Sequence, residues 1–505
     1  MNQVRAGIVL NYVIIFINIL VGLLYTPFML EKMGQSEFGL YSLVASVISY
    51  LAILDLGLGN AIIRYTAKLR AERKLKEQYE LFGMFLFLYT IIAIITLCLG
   101  LCLYYNVENM FGDTMSQYEV ERAKIMVILL VINLAFTFPM SIFGSIITAY
   151  EDFVFAKSVN IIRLLLNTLV MIVLLAMGYK AIAMVVVQTI FNITTLIINF
   201  LYCKYKIKIK ILFSRFDWRL LKEIAIYSFW IFLNIIMDRI YWSTGQFVLG
   251  IKIGTTAVAI FAVAIQLQQM YMTFSTAISS VFLPRITAMI AQGAEQKEIS
   301  DIFIRTGRLQ YVIISTLLSG FIVFGQSFIS LWAGEEYNEA YIITLLFFIS
   351  LTIPLIQNLG ITILQARNQM KFRSILYLVI AIVSLVFQII LSDKYGIVGC
   401  ALAISIALLV GQGLIMNIYY HYAQHIDIPK FWREILKMSI APVIISWIFI
   451  QILQDVDINT WGELSIAIST FLMIYVPAYY FIGLNSYEQG EFKKLFTGVK
   501  SKLCR

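Results

Sequence analysis

IVLNYVIIFINILVGLLYTPFML, residues 8–30, is an apolar run long enough to cross a bilayer, with Asn18 near its middle. About 216 residues later Asn234 holds the same place in the seventh such run. Pro139 in the fourth run answers Pro354 in the tenth, and Tyr179 answers Tyr395. The connection MGQSEFGLY at residues 33–41 has a looser echo in IGTTAVAIF at 253–261. These landmarks describe one membrane unit written twice, an organisation common among transporters.

A hydrocarbon core of about 30 Å takes about 20 apolar residues per helix. With 61% hydrophobic residues and a mean hydropathy of +0.86, the chain offers many such runs. Spans are expected near 8–30, 40–61, 81–104, 125–149, 159–178, 181–202, 225–249, 255–283, 309–331, 341–364, 374–391, 396–420, 435–453 and 462–484. The fold class is therefore all-α integral membrane, with about fourteen transmembrane helices. The first run is too long for a signal-peptide core and lacks a small-x-small cleavage site, so it is expected to stay as a span.

Lys and Arg remain on the cytoplasmic side of membrane proteins. With the amino terminus inside, Lys32, Arg122, Lys124, Lys180, Lys252 and Lys394 fall outside and Arg239 lies within a span. The other cations of the 38, Arg163 among them, fall in inner segments. This asymmetry predicts a multi-pass plasma-membrane protein with both termini cytoplasmic. It also accounts for the net charge of +9, so no nucleic-acid partner is implied. The basic tract Lys204–Lys210 reads as an anchor on anionic membrane lipids.

Domain organisation follows a six, six and two plan. A six-helix lobe covers 1–202, a basic cytoplasmic linker 203–224, a second six-helix lobe 225–420, and two further helices with a basic tail 421–505. Because six is even, the repeats are parallel, related by an axis along the membrane normal, and a central cavity between two lobes is expected. The longest outer loop, near 105–124, leaves little room for an external catalytic domain, so the chain does not read as an enzyme. Cys98, Cys102, Cys203, Cys400 and Cys504 form no disulfide framework. His421 and His425 lack companion ligands, so no metal is expected, and the absence of a Walker-type loop excludes ATP hydrolysis by that route. No cofactor is implied.

Ionisable groups deep in a bilayer are costly and face a cavity or a partner. Asp55, Asp238 and Arg239 are the three candidates. Asn234 and Asp238 share one helix face, and Arg239, Ser243 and Gln246 the adjoining one, which together make a broad polar sector. Arg239 carries a planar fork of donors suited to phosphate, although a buried ion pair would explain it equally. Asp55 and Asp238 are candidates for a coupling H+ or Na+, with packing and capping the other reading for Asp55. Arg64 lies near the inner surface, where it meets a headgroup or anchors the helix; Arg163 and Arg285 are placed near the same face. Amide stripes run through Asn11 and Asn18, through Gln188, Asn192, Thr195 and Asn199, and through Gln266, Gln269, Thr273, Thr276 and Ser280. They suit cavity lining or helix association. Pro27, Pro139 and Pro354 are candidate hinges, a static kink being the alternative.

Three stretches carry a family resemblance: MGQSEFGLY at 33–41, Asp55-Leu56-Gly57-Leu58-Gly59 leading to Arg64, and Leu364-Gln365-Ala366-Arg367-Asn368. Over nearly its whole length the chain resembles the Wzx-type polysaccharide flippases of the multidrug/oligosaccharidyl-lipid/polysaccharide (MOP) exporter superfamily. The resemblance implies a two-lobed exporter whose cavity receives the diphosphate and sugars of a polyprenyl-diphosphate-linked oligosaccharide while the lipid tail stays in the membrane. Alternating access would deliver the headgroup to the outer leaflet for surface polysaccharide assembly, with polysaccharide polymerase machinery as a candidate partner. Two other readings stand beside it: a cation-coupled drug or metabolite antiporter of the same superfamily, and a membrane glycosyltransferase or polysaccharide polymerase.

Overall fold

The computed structural model describes residues 3–213, 218–367, 369–454, 456–485 and 488–490. All regular structure among them is helical. The first part of the chain forms α1 (Gln3–Met33), α2 (Gln35–Leu51), α3 (Leu58–Ala71), α4 (Leu75–Phe111), α5 (Gln117–Ala149), α6 (Phe153–Ala176) and α7 (Ala181–Tyr202). It continues with α8 (Trp218–Trp242), α9 (Thr244–Lys252), α10 (Thr255–Ala291), α11 (Gln296–Trp332), α12 (Ala340–Ile356) and α13 (Asn358–Ala366). The last elements are α14 (Lys371–Leu408), α15 (Met416–Tyr422), α16 (Ile428–Leu453) and α17 (Trp461–Ala478).

Among the described residues, twelve helical runs are long and apolar enough to cross a membrane, and the protein is a multi-pass membrane protein. One of the twelve, Lys371–Tyr422, has 52 residues. At 1.5 Å per residue it would measure about 78 Å, more than twice the hydrocarbon core. It is broken at Gly396, whose φ of 59° and ψ of −135° are not helical. Asn368, Cys504 and linker residues 214–217 lie outside the described residues.

Local chemistry sets the ends of these helices. Gly34, at φ 78°, makes the turn between α1 and α2 in a conformation that favours glycine. Ser116 with Glu119 and Thr460 with Glu463 form reciprocal capping boxes at the starts of α5 and α17.

Two compact units result, Met1–Val263 with Tyr377–Ala403, and Ala264–Leu376 with Ile404–Arg505. The first has a core of Tyr65, Phe82, Phe85, Tyr89, Phe138 and Ile142, from α3, α4 and α5. In the second, Phe303 packs against Tyr420 and Phe431. There Arg308 of α11 is buried, with Nε 2.6 Å from Glu488 Oε1 and Nη1 2.8 Å from Glu434 Oε2. Phe16, Leu24, Ile94, Ile162 and Met473 are exposed, as residues facing hydrocarbon should be.

Candidate functional site

The stretch Asp55–Gly59 interrupts a membrane helix. α2 ends in a short 3₁₀ turn, Leu56 and Gly57 take φ of 53° and 73°, and α3 starts at Leu58. Asp55 repairs the break. Its Oδ1 accepts the Tyr89 hydroxyl at 2.8 Å, and the backbone N–H groups of Gly57 and Gly59 lie near enough to stabilise its charge. A carboxylate at the first turn of α3 also suits the positive end of the helix dipole.

Just before the break, α2 meets the junction of α8 and α9. Ser49 Oγ donates to Ser243 Oγ at 3.1 Å, and the hydroxyls of Tyr50 and Thr244 share a hydrogen bond. Arg239 is half-buried and close enough to Tyr50 to act on its hydroxyl electrostatically. Among the described residues it forms no ion pair. Asn234 and Gln246 on the same helices are half-buried, and Asp238 is exposed.

On its other side Ser49 lines a cavity of about 270 Å³, which Arg163 also lines. Arg163 lies further from the start of its helix than the expected span had it. α6 begins at Phe153 rather than near 159, so Arg163 is the eleventh residue of a 24-residue helix. Such a helix is about 36 Å long, hardly more than the bilayer core, which puts the guanidinium near the membrane centre. Asn192 and Asn133, near the midpoints of α7 and α5, stand at the same level.

The other predicted residues are dispersed. Asn18 is exposed on α1, its amide donating to Ile14 O at 3.0 Å. Arg64 is exposed on α3. On α10, Gln266 is half-buried and Gln269 exposed, while Gln268 between them is fully buried with no partner for its Oε1. Thr273 and Thr276 bond back to carbonyls of their own helix, and the side chains of Ser280 and Arg285 lie outside the described residues. α1 and α5 run unbroken past Pro27 and Pro139, whereas α12 ends at Ile356, just after Pro354, and the chain resumes as α13. Arg367 of the third motif bonds Gln424 at 2.9 Å and Gln296 at 2.6 Å.

The end of the first unit carrying the 33–41 motif is tightly tied. Glu119 Oε1 accepts Ser36 Oγ at 2.6 Å and Thr255 Oγ1 at 2.7 Å. Glu37 is buried 3.0 Å from Arg122 Nε. Thr114 Oγ1 donates to Gly250 O at 2.7 Å, and a Cβ at Gly39 would overlap the Thr255 carbonyl. The motif is therefore a helix-to-helix seam in which Gly39 permits backbone contact.

Sequence reasoning reached Arg239, Gln188 and Asn192 through depth and helical spacing. It missed Tyr50, Ser49 and Asn133. Tyr50 and Ser49 are recognisable only by their partners nearly 200 residues away. A polar residue centred in the long apolar run 125–149 was an available signal for Asn133.

Comparison with known proteins follows this geometry. The family model "Polysaccharide biosynthesis protein" matches residues 33–342. The chain is 20% identical over 472 residues to the uncharacterized membrane protein EpsK of Bacillus subtilis, covering 90% of each chain. It is 22% identical over 233 residues to the probable low-salt glycan biosynthesis flippase Agl15 of Haloferax volcanii, covering 45% of this chain and 48% of that one. Among solved structures, the lipid II flippase MurJ in an inward closed conformation superposes with a TM-score of 0.74 at 17% identity, over 93% of this chain and 98% of that one. An inward-facing multidrug resistance MATE family transporter of the MOP superfamily gives 0.67 at 13%, over 82% and 95%. With a model match over more than half its length, the chain belongs to the polysaccharide biosynthesis protein family, and it has the fold of these transporters.

Proposed function

We propose that the protein is a flippase that carries the headgroup of a polyprenyl-diphosphate-linked oligosaccharide from the cytoplasmic to the outer leaflet by alternating access, for surface polysaccharide assembly. The observation that carries this reading is Arg239. A half-buried guanidinium near the end of α8 with no ion pair among the described residues suits an anionic cargo, and its fork matches phosphate oxygens. Agl15, named as a probable glycan biosynthesis flippase, and MurJ, named as a lipid II flippase, support the cargo class.

An apolar groove of about 340 Å³ in the second unit, lined by Leu267, Met270, Phe274, Phe321 and Phe471, suits the polyprenyl tail. The seam at Glu37, Gly39 and Glu119 suits an outer gate in its closed state, which must part for release outside. Under this reading both termini are cytoplasmic. The broken run Lys371–Tyr422 counts as two spans and α8 with α9 as another, making fourteen. The repeats divide as 1–202 and 225–420. Ion coupling would fall to Asp238 or Asp55.

The test is the leaflet of the lipid-linked precursor in cells lacking the protein, read by an impermeant glycosidase. Trapping on the cytoplasmic side, cured by the native chain but not by Arg239→Ala and only partly by Arg239→Lys, is expected. Normal outward exposure with unpolymerised repeats would point to a polymerase, and no change in any lipid-linked sugar to an antiporter.

A further inference from the structure

The cavity beside Arg163 is built differently from a helix-packing defect. Its polar wall is Tyr41, Ser49, Asn133, Thr137, Gln188 and Asn192, and Arg163 completes it. Several of these groups are held in place by one another. Asn192 Nδ2 donates to Asn133 Oδ1 at 2.7 Å and to Thr137 Oγ1 at 2.8 Å, which turns its Oδ1 towards Arg163 Nη1 at 3.4 Å. Tyr41 hydroxyl donates to Gln188 Oε1 at 3.0 Å. Thus the amides have fixed orientations, while among the described residues Arg163 makes one long hydrogen bond with its five donors.

No carboxylate forms an ion pair with Arg163 among the described residues. A charge at this depth is costly unless something compensates it, and nothing in the described wall of the cavity does. One negative charge would compensate one guanidinium. At about 30 Å³ per water, 270 Å³ holds roughly nine waters, far more than one monatomic ion needs and suited to one six-membered sugar ring. The remaining wall supplies what such a ring asks for. Amides and hydroxyls meet its hydroxyls, and the aliphatic side chains of Ile48, Leu130 and Leu134 meet its C–H faces.

We propose that the Arg163 cavity is a binding site for a carboxylate-bearing sugar, a uronate-like residue whose carboxylate pairs with Arg163 and whose hydroxyls meet Asn192, Thr137 and Gln188. Its assignment to the transported headgroup rests on the flippase reading; the binding itself does not. The diphosphate at Arg239 and the acidic sugar at Arg163 would then both lie beside the end of α2, where Ser49 meets Ser243 and also lines the Arg163 cavity.

The experiment uses the full-length protein in lipid nanodiscs. Its thermal unfolding midpoint is followed against sodium glucuronate, with glucose, acetate, chloride and inorganic pyrophosphate at matched ionic strength. A ligand that binds only the folded protein raises the midpoint with concentration. Glucuronate is expected to do so, and glucose, acetate and chloride to do so far less. Arg163→Gln is expected to abolish the glucuronate shift and Arg163→Lys to keep part of it. Should Arg163→Gln fail to fold, Asn192→Asp serves instead, because it places a carboxylate against Arg163 and is expected to hold the fold while losing the shift. Four results would overturn the proposal: an equal shift from acetate or chloride, a larger one from pyrophosphate that vanishes in Arg163→Gln, no glucuronate shift in the native protein, or a glucuronate shift surviving in both variants. Because purified protein is used, a failure of flipping in cells leaves this test standing and is read separately.

Discussion

Two arginines stand in membrane helices of the two units, and their surroundings are opposite. Arg308 in the second unit is clamped by Glu488 through a bidentate pair of 2.6 and 2.7 Å and by Glu434 at 2.8 Å. Arg163 in the first unit faces a cavity and has an amide as its neighbour. Burying a charge demands compensation in either place. Where the protein supplies it, the charge joins elements of the fold together; where the protein leaves it out and provides space, the compensation is left to a ligand. The same contrast runs through the two halves of the sequence. Shifted by about 216 residues, Asn133, Arg163 and Asn192 fall on Ile349, Val379 and Leu408, all apolar.

The comparison can be broken most forcefully at Arg308. Arg308→Ala leaves Glu488 buried without its partner, a loss of about 3–5 kcal/mol for such pairs, and a sharp fall in the unfolding midpoint of purified protein is expected. An unchanged midpoint would deny the clamp its structural role. Next in size is Gly39→Val, whose side chain collides with backbone at Thr255. The expected cost is about 1–3 kcal/mol, with greater maleimide labelling of a cysteine placed at Thr255. Asp55→Ala removes the acceptor of the Tyr89 hydroxyl, at about 1 kcal/mol, and should lower the unfolding midpoint slightly. Asp55→Asn should retain export, and its loss in a stable Asn variant would make Asp55 a coupling site. The smallest effect on stability belongs to Arg163→Gln. Removing a charge that no described carboxylate compensates should leave the midpoint at or above that of the native protein, in direct contrast to Arg308→Ala.

Much of this architecture was legible in the sequence because the bilayer enforces it. Long apolar runs mark helices whatever their packing, and the break at Gly396 lies between two expected spans. Helix ends were less visible, since polar first turns extend beyond the hydrocarbon. Six residues at the start of α6 separated an inner-face reading of Arg163 from a central one. Arg308 could not be read as a structural charge, because its partners lie 126 and 180 residues further along the chain. On α10 the spacing favoured Gln266 and Gln269, yet Gln268 is the buried amide, because packing against neighbouring helices decides which face turns inward.

The most direct test of the flippase reading is transport by the purified chain. Full-length protein is reconstituted into liposomes carrying a labelled polyprenyl-diphosphate oligosaccharide, and an impermeant glycosidase reports how fast the inner pool becomes accessible. Cleavage beyond the outer-leaflet fraction with native protein, and none beyond protein-free liposomes with Arg239→Ala, is the expected result. An inner pool that stays protected with native protein, with and without an imposed proton or sodium gradient and membrane potential, would contradict it.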